Sequence, residues 1–301
     1  MTLYCRICGR MEITMNTFAI FTDSSCDISE ELLAAWGVGS ESLTFRFTDD
    51  SVEYKNGELA ITDFYERMRK GGVAKTAAIN VDAFTSLFEG ALAEGRDLLY
   101  LGFSSGLSTT YNSARIAAEE LKGRYPERKI IIVDTLCASA GGGLLVKMAV
   151  DKRSAGASIE ETAEFVEGIK KNVCHWFTVD DLVYLKRGGR VSATTAFVGN
   201  MLGIKPVMHV DNEGHLVNVA KVRGRRTAIT ALADKYGELS LEGDYEVYIS
   251  HSDCLCDAKL LAEIIETKYG KKTSVITDVG AVIGAHSGPG TLALFFIGKE
   301  R

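Results

Sequence analysis

The chain has 301 residues, 46% of them apolar and 25% charged, with thirty glycines, only three prolines and a mean hydropathy of +0.05. This balance excludes intrinsic disorder and proline-rich or collagen-like stalks, and at roughly 150 residues per domain it predicts two domains with separate cores. A net charge of −6 and a pI near 5.5 argue against bulk binding to nucleic acid or to an anionic membrane surface.

Residues 1–15 lack the long apolar run of a signal peptide and read as a disordered tail. Patterning starts with a strand over 18–22 (FAIFT), then a helix near 29–36, a strand over 43–47 and a helix over 62–70. Asn80 is placed to cap a helix that runs through residue 94. A buried strand over 98–102 (LLYLG) leads into a helix with Leu107, Tyr111, Ala114, Ala118 and Leu121 on one stripe. A strand over 129–133 and a long helix over 138–154 follow. Short strands alternating with helices in this way indicate a parallel sheet covered on both faces, and an N-terminal α/β domain over 16–165.

Ser158 and Glu161 form a capping box for the next helix, and the boundary falls within 155–172. The C-terminal α/β domain, 166–301, is smaller and its sheet is mixed. Strands are predicted over 175–179, 205–210 and 216–222, the last two joined by a turn at 211–214. A helix over 225–236, a strand over 245–250, a helix over 257–269 and a strand over 273–277 complete the pattern. Residues 279–298 carry no Asp, Glu, Lys or Arg and are long enough to span a bilayer, but HSGPG interrupts them. They read as two short strands, 282–283 and 292–297, around a turn. No transmembrane segment is expected, although transient membrane contact stays open.

Seven cysteines in a chain of this length suggest reduced thiols and a cytoplasmic protein. Neither Cys5-x-x-Cys8 nor Cys254-x-Cys256 near His251 has the paired spacing of a zinc site, so no metal is predicted. The cations Lys221, Arg223, Arg225 and Arg226 lack interleaved aromatics and read as a solvated or docking face, not a nucleic-acid site.

Three segments can carry chemistry. Residues 102–110 (GFSSGLSTT) turn from a strand's carboxyl end into a helix, where open α/β sheets bind ligands and hydroxyls suit a carboxylate or phosphate. A helix cap at Ser104 or Ser105 explains the same letters. So does G-x-S-x-G, the nucleophile elbow of a serine hydrolase, with Ser104, Asp278 and His286 in the required order but no HGGG-type loop upstream. His286 in HSGPG can donate to a buried anion, act as a base or stay bonded within a turn. In LKRGGRV (185–191), glycines bracketed by cations form a flexible turn able to bring a guanidinium to an oxyanion.

Taken in order, FTDSSCDI (21–28), KTAAIN (75–80), LGFSSGLSTTYNSA (101–114), VDTLCASAGGGLLV (133–146), LKRGGRVS (185–192) and HSGPG (286–290) resemble the DegV family of bacterial fatty-acid-binding proteins. The resemblance runs from Phe18 to about Ile297. It implies two α/β domains with a long-chain fatty acid buried between them, no cofactor, and no enzyme activity in the chain itself. It further implies a partner, the ATP-binding subunit of a fatty acid kinase, that converts the presented carboxylate to acyl phosphate. The carboxylate site carries over to Thr76, Ser105 with the backbone of Gly106, Arg190 and His286. Ala77-Ala78-Ile79-Asn80 departs from the family's T-S-Q-P-S, which bears on acyl specificity and on the kinase partnership. Ser287 replaces a threonine and keeps its hydroxyl.

Overall fold

The computed structural model describes residues 18–192 and 203–301. The segment read as a tail, with Cys5 and Cys8, lies outside them. Three sheets are present among the described residues. The first is parallel, in the order β2 (Val38–Glu41), β1 (Phe18–Asp23), β6 (Asp97–Gly102), β7 (Ile130–Asp134). A small antiparallel sheet, β4 (Tyr54–Lys55), β3 (Thr44–Phe47), β5 (Ala74–Ala77), stands beside it. The C-terminal part forms a six-stranded mixed sheet. Its order is β10 (Leu216–Arg223), β9 (Ile204–Val210), β8 (Val173–Thr178), β13 (Leu292–Ile297), β11 (Tyr248–His251), β12 (Val275–Asp278). Only β11 and β12 run parallel in it.

Alternation along β1 explains the layering. Phe18 and Ile20 face one core, and Ala19 and Phe21 the other. The second core takes α2 (Ile61–Arg69), α3 (Val81–Ala93) and α4 (Thr110–Arg124). Asn80 accepts the Ala83 N–H at 2.8 Å and starts α3. The first core is shared between the parallel and mixed sheets through α5 (Ala140–Ser154), followed by α6 (Ile159–Ile169) behind its Ser158–Glu161 capping box. The glycines opening α5 permit that position, because a Cβ on Gly141 would lie 2.2 Å from His175 Nε2 and one on Gly143 would lie 2.3 Å from Ile28. One continuous core therefore crosses 155–172. On the far face of the mixed sheet pack α8 (Arg225–Leu239) and α9 (Leu255–Tyr269).

Two local expectations are corrected. Residues 282–283 are helical, within α10 (Ala281–Ser287). Gly280 and Gly288 are its caps, and Gly284 sits mid-helix, where any side chain would strike the Tyr65 hydroxyl. Residues 185–187, read as part of a flexible basic turn, fall in the short helix α7 (Val183–Arg187). None of the described helices is long and apolar enough to cross a membrane.

Candidate functional site

Beyond the carboxyl ends of the parallel strands the chain encloses a cavity of about 490 Å³, within the ~300–1,000 Å³ usual for ligand sites. Phe103 and Leu107, which follow β6, form one wall. The mixed sheet supplies Phe177, Leu216 and Phe295, and α10 supplies Val282. Buried Asp23 at the end of β1 fixes the first wall by accepting the Tyr100 hydroxyl at 2.6 Å and the Phe103 N–H at 3.0 Å.

Thr76, Ser105, Arg190 and His286 all line this cavity. Thr76 is on β5, and His286 on the last turn of α10, with its Nε2 2.8 Å from Thr76 Oγ1. Arg190 follows α7. Its Nε and Nη2 donate to the Leu107 carbonyl at 3.1 and 2.9 Å, and its Nη1 donates to the Gly188 carbonyl at 2.5 Å and lies 3.5 Å from His286 Nδ1. A guanidinium has donors only, so the Nδ1 that faces it carries a lone pair and the proton sits on Nε2. His286 therefore donates to Thr76, and the Thr76 hydroxyl proton is free to point at a ligand. Burial, reinforced by the adjacent guanidinium, pulls the imidazole down to about 4, so it is neutral at pH 7. Burial also lowers Arg190, which stays charged. Gly188 makes the arrangement possible, since a Cβ there would lie 2.1 Å from His286 Nδ1.

Ser105 is exposed at the mouth. Its N–H donates to Asp134 Oδ1 at 3.2 Å, and its hydroxyl has no partner among the described residues. Gly106 is not part of the lining. Its N–H donates to Ser104 Oγ at 3.2 Å, and a Cβ would press on the carbonyls of Glu213 and Gly214 at 3.0 Å, so it packs the loop against the β9–β10 turn. Helix α4 begins only at Thr110, and residues 104–108 form a separate turn in front of it. Neither Ser104 nor Ser105 therefore caps that helix.

No hydrogen bond joins Ser104, Asp278 and His286. Ser104 is fully buried and donates to the Gly214 carbonyl at 2.9 Å, while Asp278 faces His251 Nδ1 at 3.4 Å. Among the described residues no group of His, Cys, Asp or Glu could hold a metal ion.

Sequence reasoning missed Asp27, Ser139, His175 and Ser250. His175 lines the cavity with its ring only, because Nδ1–H donates to the Val173 carbonyl at 2.8 Å and Nε2 accepts the Ala138 N–H at 3.2 Å. Burial holds it neutral, well below its ordinary value. Buried Asp27 accepts the Ser139 hydroxyl at 2.5 Å and the Gly280 N–H at 2.9 Å. The motifs FTDSSCDI and VDTLCASAGGG contain Asp27 and Ser139, but nothing in either marks the contact between them.

The family model described as "Uncharacterised protein, DegV family" matches residues 17–299. The chain belongs to the DegV family. It is 42% identical over 291 residues to a DegV domain-containing protein of Clostridium perfringens, covering 95% of this chain and 99% of the relative. A fatty acid-binding protein of Thermotoga maritima is 34% identical over 288 residues, covering 94% and 98%. The solved structure of a DegV family protein from Thermus thermophilus, described by its fatty acid binding, superposes with a TM-score of 0.81 at 27% identity, covering 93% and 98%. Against the DegV pattern, Ala77 and Ala78 leave an exposed apolar rim beside Thr76, Ile79 enters the core and Asn80 caps α3.

Proposed function

We propose that this protein binds a long-chain fatty acid in the cavity and presents its carboxylate to a separate ATP-binding kinase subunit in the cytoplasm. The observation that carries the reading is one cavity with an apolar interior and a donor cluster at its mouth: the Thr76 and Ser105 hydroxyls and the Arg190 guanidinium. A carboxylate withdrawn from water needs such charge-assisted and hydroxyl donors. At ~0.8 kcal/mol per buried CH₂, a sixteen-carbon tail contributes on the order of 10 kcal/mol before ordering costs. Relatives from Thermotoga maritima and Thermus thermophilus described as binding fatty acids support the same ligand class.

Presentation is supported by exposure of Ser105, Ala77 and Ala78, which leaves the head-group end at the protein surface while the interior stays covered. A carboxylate oxygen would attack the γ-phosphorus of ATP on the partner, and ADP would leave with the bridging oxygen. This chain then needs no nucleophile and acts as a carrier. Delipidated protein is expected to take up hexadecanoic acid saturably, with Thr76→Val weakening binding tenfold or more, the scale of a hydrogen bond to a charged group. A fluorophosphonate should leave Ser104 unlabelled. Covalent labelling lost in Ser104→Ala, or no uptake of any C14–C18 acid, would overturn the reading.

A further inference from the structure

The loop that carries Ser105 is seated between two turns. On one side is the turn after β7. There the Ser104 N–H donates to the Cys137 carbonyl at 3.0 Å, and Asp134 Oδ1 accepts both the Ser105 N–H at 3.2 Å and the Leu136 N–H at 3.1 Å. On the other side is the β9–β10 turn, whose Gly214 carbonyl accepts the Ser104 hydroxyl at 2.9 Å and packs against Gly106. Both turns contain a left-handed residue. Leu136 stands at φ +54°, which side-chain-bearing residues seldom adopt, and Gly214 at φ +81°. The turns also touch, since a Cβ on Gly214 would lie 3.3 Å from Leu136 Cα.

Arg301, half-buried beyond β13, joins them. Its Nη1 donates to the Leu136 carbonyl at 2.8 Å and to the Asp211 carbonyl at 3.0 Å. Its Nη2 donates to the Lys170 carbonyl at 2.7 Å and to Cys137 Sγ at 3.3 Å, and its Nε to the Val173 carbonyl at 3.1 Å. A guanidinium has five N–H donors, and all five are taken. The acceptors are four main-chain carbonyls and a thiol, so the contact is a geometric one and not an ion pair. Because the fork is planar and rigid, it fixes 136–137, 170–173 and 211 relative to one another. Asp211 passes the constraint along its turn. Its carboxylate accepts the Glu213 and His215 N–H groups at 3.1 and 2.8 Å, and its carbonyl also accepts the Gly214 N–H at 3.0 Å.

Arg301 is not part of the cavity lining, but the segments it holds are next to it. Ser105 and Leu107 line the cavity on the seated loop, and Val210 and Leu216 line it beside the β9–β10 turn. Leu107 also gives its carbonyl to Arg190. We propose that Arg301 is a positioning residue for the ligand: by clasping the 136–137 and 211–214 turns it sets where the Ser105 hydroxyl meets the carboxylate. The inference rests on the carrier reading above.

The test is a double-mutant cycle on the delipidated full chain with Arg301→Lys and Ser105→Ala, read as affinity for hexadecanoic acid by native mass spectrometry. Lysine keeps the charge, but its three donors sit on one atom and cannot span the three segments. Arg301→Lys is expected to weaken binding by roughly two- to tenfold, the range of one net hydrogen bond. Ser105→Ala should lower it by a similar factor. The double variant should bind no worse than Ser105→Ala alone, because both changes disable one contact. Amide hydrogen exchange adds a readout that needs no ligand. In Arg301→Lys the amides of 104–107 and 211–215 should exchange roughly fivefold faster or more, and those of 18–23 at the wild-type rate. Wild-type affinity in Arg301→Lys, or losses that multiply in the double variant, overturns the inference and leaves the carrier reading standing. Unchanged exchange at 104–107 does the same. Faster exchange at 18–23 as well overturns it by showing a general loss of stability. Wild-type protein that takes up no hexadecanoic acid overturns both readings.

Discussion

Gly188 and His286 show how little space the Thr76–His286–Arg190 cluster has. The imidazole is held between Thr76 on one side and Arg190 with the α7 terminus on the other. A methyl group at residue 188 would stand where Nδ1 now is. Gly188→Ala is therefore expected to rotate the ring, break the bond to Thr76 and lower acid retention at least tenfold, consistent with loss of a charge-assisted contact. Because the backbone at Gly188 is an ordinary helical one, far-UV circular dichroism should stay close to wild type. Full retention of acid by the variant would show that the ring position does not matter to binding. Arg190 is more deeply committed. Two main-chain carbonyls take its donors, so its guanidinium both closes the loop between Leu107 and Gly188 and supplies positive charge to the cavity.

At the scale of elements, α10 links the Thr76–His286–Arg190 cluster to the rest of the molecule through its start. Tyr65 on α2 donates to the Val279 carbonyl at 2.6 Å, and its oxygen lies 3.0 Å from Ser252 Oγ. Tyr65→Phe leaves that buried carbonyl without its donor, at a cost of about 1–3 kcal/mol. Urea denaturation should show that loss, with weaker acid retention because Val279, Val282 and His286 lie along one face of the cavity. An unchanged midpoint would mean that the carbonyl finds another donor.

The same helix marks where sequence patterning stopped being informative. Residues 98–101 and 130–133 are continuous apolar runs bounded by turn residues, so they read directly as buried parallel strands, and Ser158 and Asn80 announce their helices by capping chemistry. Residues 282–283 read as a short strand before a turn, yet they lie in a helix whose Gly284 packs against the Tyr65 hydroxyl, a tertiary contact no local pattern contains. Motif order singles out Thr76, Ser105, Arg190 and His286, and the structure brings all four to the lining of one cavity. Gly106 was assigned to the ligand but packs against the hairpin turn. Ser250 sits in a plain strand sequence, and only β11's position opposite β13 brings it to the cavity.

For the whole molecule, two buried groups set opposing pH trends. Asp27 rises from 3.8 to about 7, so between those values the folded chain holds a proton that the unfolded chain does not, and stability falls as pH climbs. His286 falls from 6.5 to about 4, so the unfolded chain binds the extra proton and stability rises with pH over about 4 to 6.5. His175, depressed by burial, acts in the same direction as His286. Asp27→Asn should remove the falling contribution and steepen the rise between pH 5 and 6.5, measured by urea titration against wild type. A variant with the wild-type slope would exclude Asp27 as a titrating group in the fold.

The parallel sheet, the mixed sheet and α10 border one largely apolar cavity that Thr76, Ser105 and Arg190 also line, and the central claim is that a fatty acid fills it. Native mass spectrometry of freshly purified protein, followed by solvent extraction, tests that most directly. The account predicts one long-chain acid per chain, released on denaturation and absent from protein carrying both Thr76→Val and Ser105→Ala. Protein that emerges empty and then refuses added C14–C18 acids would contradict it.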